Sequence, residues 1–507
     1  MEPVPGTPCF NVVRDGVQGR CGVATRRILA GSVIVSEAPL VIAPSAPSKD
    51  GCVTCLGCCI VVAESRRRLC AGCNGPLCST GCEQSPFHLD ECKAMRHSGS
   101  RFNPSFSPTE YTLLGFLRVL LLRGEEAQRC RQLESHKDKM RADPKIRWQM
   151  DVLAVQLLPC IAAFSLEQRC WAFGVMETNC FSYSERLSGR KALVLMDRIS
   201  MFGHSCVCNA FGNCYFLPEG ATGPTALLGL RKVLVAATDI EPGEAITVNY
   251  THPHLPTPKR RAELLQTKFF RCRCRRCEDP AELGLHSGAL CCEACMGRAQ
   301  MQLPVPRRPE DPPTSWRCPT CSQPMDRSVQ ASMWVFDQLE SAVFAGQTRG
   351  DIGALEAFLH DHVYPRGRLH PTHELVLDAK YALVTQMYGH LPGFNVQDLS
   401  GKQLNLVSGH CRDYLQAAAI AEPGYCLRMA RVNVMLNRAL VEIVKRTAKL
   451  PPAQLALARM EEAERCLQLV DVAFRYSTDE KPLLSELRHQ TEYVRTMLDL
   501  LPILTIS

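Results

Sequence analysis

The 507-residue chain has no apolar run long enough to cross a bilayer. Its most apolar stretch, Val152 to Phe164, is interrupted by Gln156 and Pro159 and falls short of the roughly 20 residues a spanning helix needs. Met1 to Phe10 lacks the basic segment and following apolar segment of a secretory leader. Extreme charge is missing too: 58 Lys and Arg against 51 Asp and Glu leave a net charge of +7, mild for this length. Membrane-spanning and secreted classes are set aside by these absences. Basic residues do gather locally, at Arg66-Arg67-Arg68, Lys259-Arg260-Arg261 and Arg271 to Arg276. Solvated surface beside cysteine loops is the first reading of these runs. Contact with nucleic acid or an acidic protein tail is the second.

Cysteine, by contrast, is abundant. The chain holds 29, many in Cys-x-x-Cys pairs near arginines and a histidine, which is the spacing of zinc ligands rather than of a disulfide framework. A reducing compartment, cytosol or nucleus, is the expectation. Length alone implies two to four domains.

Residues 1–45 read as short strands divided by turns, with Val33-Ile34-Val35 after Ala30-Gly31 and Leu40-Val41-Ile42 after Pro39. Ala43 to Ser48 reads as a linker. From Thr109 to Ala172 the pattern is helical, with Leu113, Leu114, Leu117, Leu120 and Leu121 at helix spacing. Strand patterning returns at Ala192 to Leu195, Cys214 to Leu217, Leu227 to Ala236 and Ala245 to Tyr250. A weak internal echo links Arg27 to Gly31 with Asp239 to Gly243, each leading toward a strand. After about residue 329 the chain reads as consecutive amphipathic helices, broken near Gly350, Pro371, Pro392 and Pro451 and without a strict repeat.

Three cysteine constellations stand out. The first pairs Cys52 with Cys55, Cys70 with Cys73, Cys78 with Cys82 and His88 with Cys92. Eight such ligands complete two tetrahedral Zn²⁺ sites. Interleaving assigns Cys52, Cys55, Cys78 and Cys82 to one metal and Cys70, Cys73, His88 and Cys92 to the other, with Cys58 and Cys59 able to substitute. About forty residues cannot bury an adequate core, so metal supplies the folding energy of this module. The second constellation is Cys272, Cys274 and Cys277, one ligand short of a tetrahedron. The third joins Cys292 and Cys295 to Cys318 and Cys321 in a zinc-ribbon arrangement, with Cys291 competing for the place of Cys292 and the Pro-rich run Pro304 to Pro313 between the knuckles.

Taken in order, these pieces resemble the SET and MYND domain (SMYD) family, and its arthropod branch more than the vertebrate enzymes. Residues 52–92 have the order of a MYND finger, with a short gap between Cys82 and His88. Gly203-His204-Ser205-Cys206-Val207-Cys208-Asn209 is similar to the family's Asn-His-Ser-Cys-x-Pro-Asn motif. Ala245 to Tyr250 resembles the strand that ends in the catalytic tyrosine, and Cys272 to Cys277 the post-SET cluster.

The resemblance implies an α+β fold: curved SET-domain β-sheets with a pseudoknot, an inserted MYND zinc finger, a post-SET zinc site, a zinc ribbon-like segment and a C-terminal antiparallel helical (TPR-like) domain. It divides the chain into 1–48 and 176–251 for the SET domain, 52–92 for the finger, 105–175 for a helical insert, 260–280 for the post-SET motif, 288–324 for the ribbon and 329–507 for the helical domain. The threading it implies brings Cys206 to the post-SET cluster as the missing fourth ligand. S-adenosyl-L-methionine is the implied cofactor, held by Gln18, Gly19, Arg20, Asn179, Gly203, His204, Tyr250 and Phe270, beside about four Zn²⁺. Tyr250 is the catalytic residue expected.

Methyl transfer to a lysine needs alignment of amine, methyl and sulfur and a neutral amine, which a narrow apolar channel promotes by desolvation. No oxyanion forms, so no oxyanion hole is needed. A tyrosine hydroxyl can orient the methyl through weak C–H contacts. The chain departs from the family at several positions. Gly203 stands where an asparagine is usual, Lys268 where a second channel tyrosine is usual (with Phe269 one position later able to turn inward), and Cys208 where a proline is usual; Cys21-Gly22 replaces Gly-Leu. His204 reads as a packing residue rather than a base. Two functions follow: a protein-lysine N-methyltransferase, or a scaffold that binds proline-containing peptides through the finger and helical tail with little catalysis, in transcriptional regulation for instance. A monomer is expected in either case.

Overall fold

The computed structural model describes residues 8–15, 19–103, 106–185, 189–216, 226–292, 294–295, 300–301, 318, 320–323, 329–447, 453–477 and 479–504. Gln18 and the run Pro304 to Pro313 lie outside the described residues, as does Pro451.

Short segments rich in Val, Ile, Ala and Cys become strands, as pleated half-buried positions favour. In the first part of the chain these are β1 (Phe10–Asp15), β2 (Gly19–Ala24), β3 (Val33–Glu37), β4 (Val41–Pro44), β5 (Cys52–Thr54), β6 (Val61–Ala63), β7 (Arg68–Leu69) and β8 (Pro76–Leu77). After a helical stretch come β9 (Cys180–Ser184), β10 (Lys191–Leu195), β11 (Gly203–His204), β12 (Ala210–Phe216), β13 (Leu230–Ala236) and β14 (Ala245–Val248). They assemble into small sheets of order β1-β2-β14-β11, β4-β10-β9 and β12-β13-β3, with β5-β6 and β7-β8 as separate hairpins. Ala43 and Pro44 belong to β4, paired with Leu193 and Ala192, so the linker begins later than the Pro and Ser content suggested.

One pairing positions the site. β14 runs antiparallel to β2 and parallel to β11, with Gly203 opposite Thr247 and His204 opposite Val248. The intervening chain forms β12 and β13 in another sheet beside β3. Asn209 sutures this crossing: its amide donates to the Ala245 carbonyl (2.9 Å) and Glu244 (3.0 Å), and its oxygen accepts from the Thr247 N–H at 2.8 Å. The two echoing segments meet face to face. Arg27 pairs with Asp239 at 2.8 Å, the Ala30 N–H donates to the same carboxylate, and Ile28 bridges Ile240.

Helix Pro108–Leu120 starts at a reciprocal Ser107–Glu110 capping box and buries Leu113, Leu114 and Leu117 against the finger. Helix Leu166–Asn179 starts at a Ser165–Gln168 box. Between them the expected continuous helical pattern is divided into short helices, because Pro144 and Pro159 each restart the chain. The tail comprises helices Val329–Arg349, Ile352–His362, Glu374–Ala382, Gly401–Ala421, Leu427–Thr447, Ala453–Phe474 and Lys481–Leu504 around a large apolar core and a smaller second cluster. The break between Ala421 and Leu427, at Pro423-Gly424, was not among those expected.

Candidate active site and metal centres

Four groups of side chains bring their ligand atoms within 4.8 Å of one another: Cys55, Cys58, Cys78 and Cys82; Cys70, Cys73, His88 and Cys92; Cys206, Cys272, Cys274 and Cys277; and Cys292, Cys295, Cys318 and Cys321. A tetrahedral zinc with Zn–S bonds near 2.3 Å requires S···S edges of about 3.8 Å. The S···S edges are close to this: 3.4 Å for Cys58–Cys78, 3.7 Å for Cys70–Cys92, 3.5 and 3.9 Å from Cys206 to Cys277 and Cys272, and 3.8 Å for both Cys292–Cys321 and Cys295–Cys318. The spacing and the donor set fit zinc.

The first group corrects one expected ligand. Cys52 lies in β5 opposite Ala63, and Cys58 takes its place. The physical reason is the hairpin: Cys55 to Cys59 form the turn between β5 and β6, where a Cys-x-x-Cys knuckle can aim both sulfurs inward, whereas Cys52 sits in extended backbone. Gly57 makes that turn fit, since a Cβ there would stand 2.7 Å from the Cys82 carbonyl oxygen. Cys291 and Cys59 stay outside the groups, and Cys206 lies with the post-SET cysteines.

Buried charges surround the cysteine groups. His88 Nε2 is 3.6 Å from Cys73 Sγ, and its Nδ1 lies 3.0 Å from Glu91. Glu91 in turn receives Arg118 at 2.6 and 2.8 Å, and Arg118 also donates to the carbonyls of Leu56 and Ile42. A carboxylate behind a histidine fixes its tautomer and ring orientation, the usual support of a metal ligand. Arg118 thus ties the finger to the SET strand β4. At the third group the fully buried Arg260 donates to Cys206 (3.2 Å) and Cys277 (3.3 Å) and pairs with Glu282 at 3.1 Å, placing a cation beside clustered thiolates.

Several of the expected site residues gather around the β11–β14 crossing. The Tyr250 N–H donates to His204 Nδ1 at 3.0 Å, and its hydroxyl donates to the Phe202 carbonyl at 2.5 Å. Burial pushes the Tyr250 phenol up to about 12 and the His204 imidazole down to about 4. The Phe270 ring stands 6.0 Å from His204. Asn179 spends its amide donors on the carbonyls of Glu134 and Val175, both at 2.8 Å. Glu134 and His136 join this group: Arg20 and Glu134 feel each other's charge, and His136 lies 3.8 Å from Glu134. Neither residue was marked in the sequence, because both come from a connection between helices with no spacing pattern.

Lys268 does not leave an empty channel position. Its ammonium donates to the carbonyls of Glu177 and Thr178, each at 2.9 Å, and lies 6.0 Å from the Tyr250 ring. Burial holds its pKa below the ordinary value. Phe269 adopts a left-handed conformation and packs against His136 (4.9 Å) with Lys139 over its ring, rather than replacing the tyrosine beside Tyr250.

A parallel strand crossing closed by a four-cysteine cluster, with two four-ligand groups in a module inserted early in the chain, has the arrangement expected of a SET-type fold carrying a MYND-type finger. No family model matches the chain. Among curated proteins it is similar to SET domain-containing protein SmydA-8, isoform B, of Drosophila melanogaster, 28% identical over 330 residues (62% of this chain, 67% of that protein). It is also similar to SET domain and MYND-type zinc finger protein 6 of Schizosaccharomyces pombe (25% over 264 residues; 52% of this chain and 50% of that protein). Human histone-lysine N-methyltransferase SMYD3 matches at 27% over 240 residues (43% of this chain, 50% of that protein). The chain is thus similar to SET and MYND domain proteins over 43–62% of its length. It spans between half and two thirds of the length of these relatives. Among the described residues no helix is long and apolar enough to cross a membrane.

Proposed function

We propose that the chain is a protein-lysine N-methyltransferase that uses S-adenosyl-L-methionine. The observation that carries this reading is the double anchoring of Tyr250, through its N–H to His204 and through its hydroxyl to Phe202, at the strand crossing. The human relative's name, a histone-lysine N-methyltransferase, points to the same chemistry.

The groups gathered at the crossing suit that cofactor. Arg20 and Glu134 offer opposite charges for a zwitterionic amino-acid end, and His136 and Phe270 offer aromatic faces for a base. Gly19, at φ +79°, has no heavy atom within 4 Å of where a Cβ would stand, so its backbone is open to a ligand. Asn179, Gly203, His204 and Tyr250 complete the set. When bound, the cofactor supplies an activated methyl group. The chain's own work is alignment and exclusion of water, since an incoming lysine must be neutral to react. Tyr250 keeps its proton, with its pKa near 12, so it orients rather than acting as a base. Gly203 provides no side chain, and a hydrogen bond to a charged group would be worth roughly 1.5–3 kcal/mol. Weak cofactor binding follows.

In this reading four zinc ions occupy the cysteine groups, two in 52–92, one at 260–280 with Cys206, and one in 288–324. The protein substrate presents a lysine in cytoplasm or nucleus, and the finger receives proline-containing segments. Transfer of labelled methyl groups to a mixed lysine-rich protein substrate tests it. Gly203→Asn is expected to raise incorporation, and Tyr250→Phe in that background to abolish it. Label appearing in neither wild type nor Gly203→Asn, with zinc content intact, would refute the catalytic reading.

A further inference from the structure

Beyond the residues at the crossing and the four cysteine groups, one more set of ligand atoms converges among the described residues. His252, His254 and Asp378 bring theirs within 4.8 Å of one another. The two histidines follow Tyr250 closely in the chain, whereas Asp378 comes from helix Glu374–Ala382 of the tail. Asp378 Oδ1 is 3.8 Å from His254 Nδ1 and 3.9 Å from His252 Nε2. These separations are too long for hydrogen bonds. They are a few tenths of an ångström wider than the edge, about 3.3–3.6 Å, of a tetrahedron with N and O ligands at 2.0–2.2 Å.

His254 supplies an independent sign. It is fully buried, and neither of its ring nitrogens has a hydrogen-bond partner. A neutral imidazole carries one donor and one acceptor, and burying both unpaired is costly. The Tyr414 ring stands 5.1 Å away, edge-on, and the Tyr414 hydroxyl is likewise buried without a partner. A metal ion at this place would use the lone pair of each histidine and the charge of Asp378. Among the described residues a competing cation is Arg428, whose Nη1 lies 3.1 Å from His252 Nε2. Arg428 has other partners to keep it, Glu422 at 3.5 Å and the Tyr381 ring at 5.4 Å, so it competes with an ion only for His252 Nε2.

We propose that His252, His254 and Asp378 bind a divalent first-row cation, which fastens the segment after Tyr250 to the helical tail. Two imidazoles and one carboxylate are borderline donors. They suit Zn²⁺ and disfavour Mg²⁺ or Ca²⁺, which take oxygen-rich sets. Three protein ligands leave a position for water or a polar group.

Full-length protein carrying its cysteine-bound zinc is titrated with Co²⁺. The expected result is one further equivalent, with visible d–d absorption and no thiolate charge-transfer band. Asp378→Asn and His252→Ala, both at partly exposed positions, should each weaken that binding about tenfold or more while cysteine-bound zinc stays constant. Added Zn²⁺ should raise the melting temperature of the wild type and not of Asp378→Asn. Absence of the extra equivalent, a thiolate band accompanying it, or equal binding in wild type and both variants overturns the site.

Discussion

Glu37, at the end of β3, is a carboxyl group held where ionisation is costly. It is buried beside Asp197, and burial together with that neighbouring carboxyl pushes it up to about 8 despite N–H donors from Ile199 (2.6 Å) and Arg198 (3.2 Å). An unfolded glutamate ionises near 4.5, so the folded state holds this proton more tightly. The stability it contributes is full below about 4.5 and is lost as pH rises toward 8. Glu37→Gln imitates the protonated form, and its melting temperature should fall less than the wild type's between pH 5 and 8. Parallel pH profiles for the two proteins would contradict this assignment. Proximity of Asp197 could not be read from spacing, because 160 residues and two sheets separate it from Glu37. The finger shows the opposite case. Cys52, Cys55 and Cys58 offer two overlapping Cys-x-x-Cys frames, and only the β5–β6 hairpin decides between them. Ligand chemistry was visible in the sequence and its frame was not.

Lys268 acts on an element rather than on a neighbour alone. The last carbonyls of helix Leu166–Asn179 have no partner within the helix, and the ammonium at the end of helix Thr257–Lys268 satisfies those of Glu177 and Thr178. At the position where the family resemblance implies a channel tyrosine, this chain has a cation that caps a helix. Lys268→Met should destabilise the protein by about 1–2 kcal/mol, the worth of charge-assisted bonds at a partly buried site. Denaturant melts read this directly, and an unchanged midpoint would show that the cap carries no weight. Elements themselves were largely legible. Ser107-Pro108-Thr109-Glu110 announces a helix start, and the four strand segments from 190 to 250 fall within a few residues of β10, β12, β13 and β14. The echo between Arg27–Gly31 and Asp239–Gly243 proved to be two turns joined by an ion pair, a contact that weak sequence similarity marked without explaining.

For the whole molecule, the tail and the SET sheets meet at specific points. The Tyr425 N–H donates to the Ala237 carbonyl at 3.0 Å, and the Tyr476 ring lies 5.5 Å from Tyr215. The helical character of the tail follows from its amphipathic pattern, whereas its docking depends on a Pro423-Gly424 break that amphipathicity does not reveal. The central claim concerns cofactor binding at the crossing. Calorimetric titration of zinc-loaded, full-length protein with S-adenosyl-L-methionine, or with its demethylated product, measures it most directly. The account predicts saturable binding at one site, tightened about tenfold to a hundredfold by Gly203→Asn, since β11 is extended there and the added hydrogen bond is worth roughly 1.5–3 kcal/mol. Titrations without heat in both proteins, with every zinc in place, would contradict it.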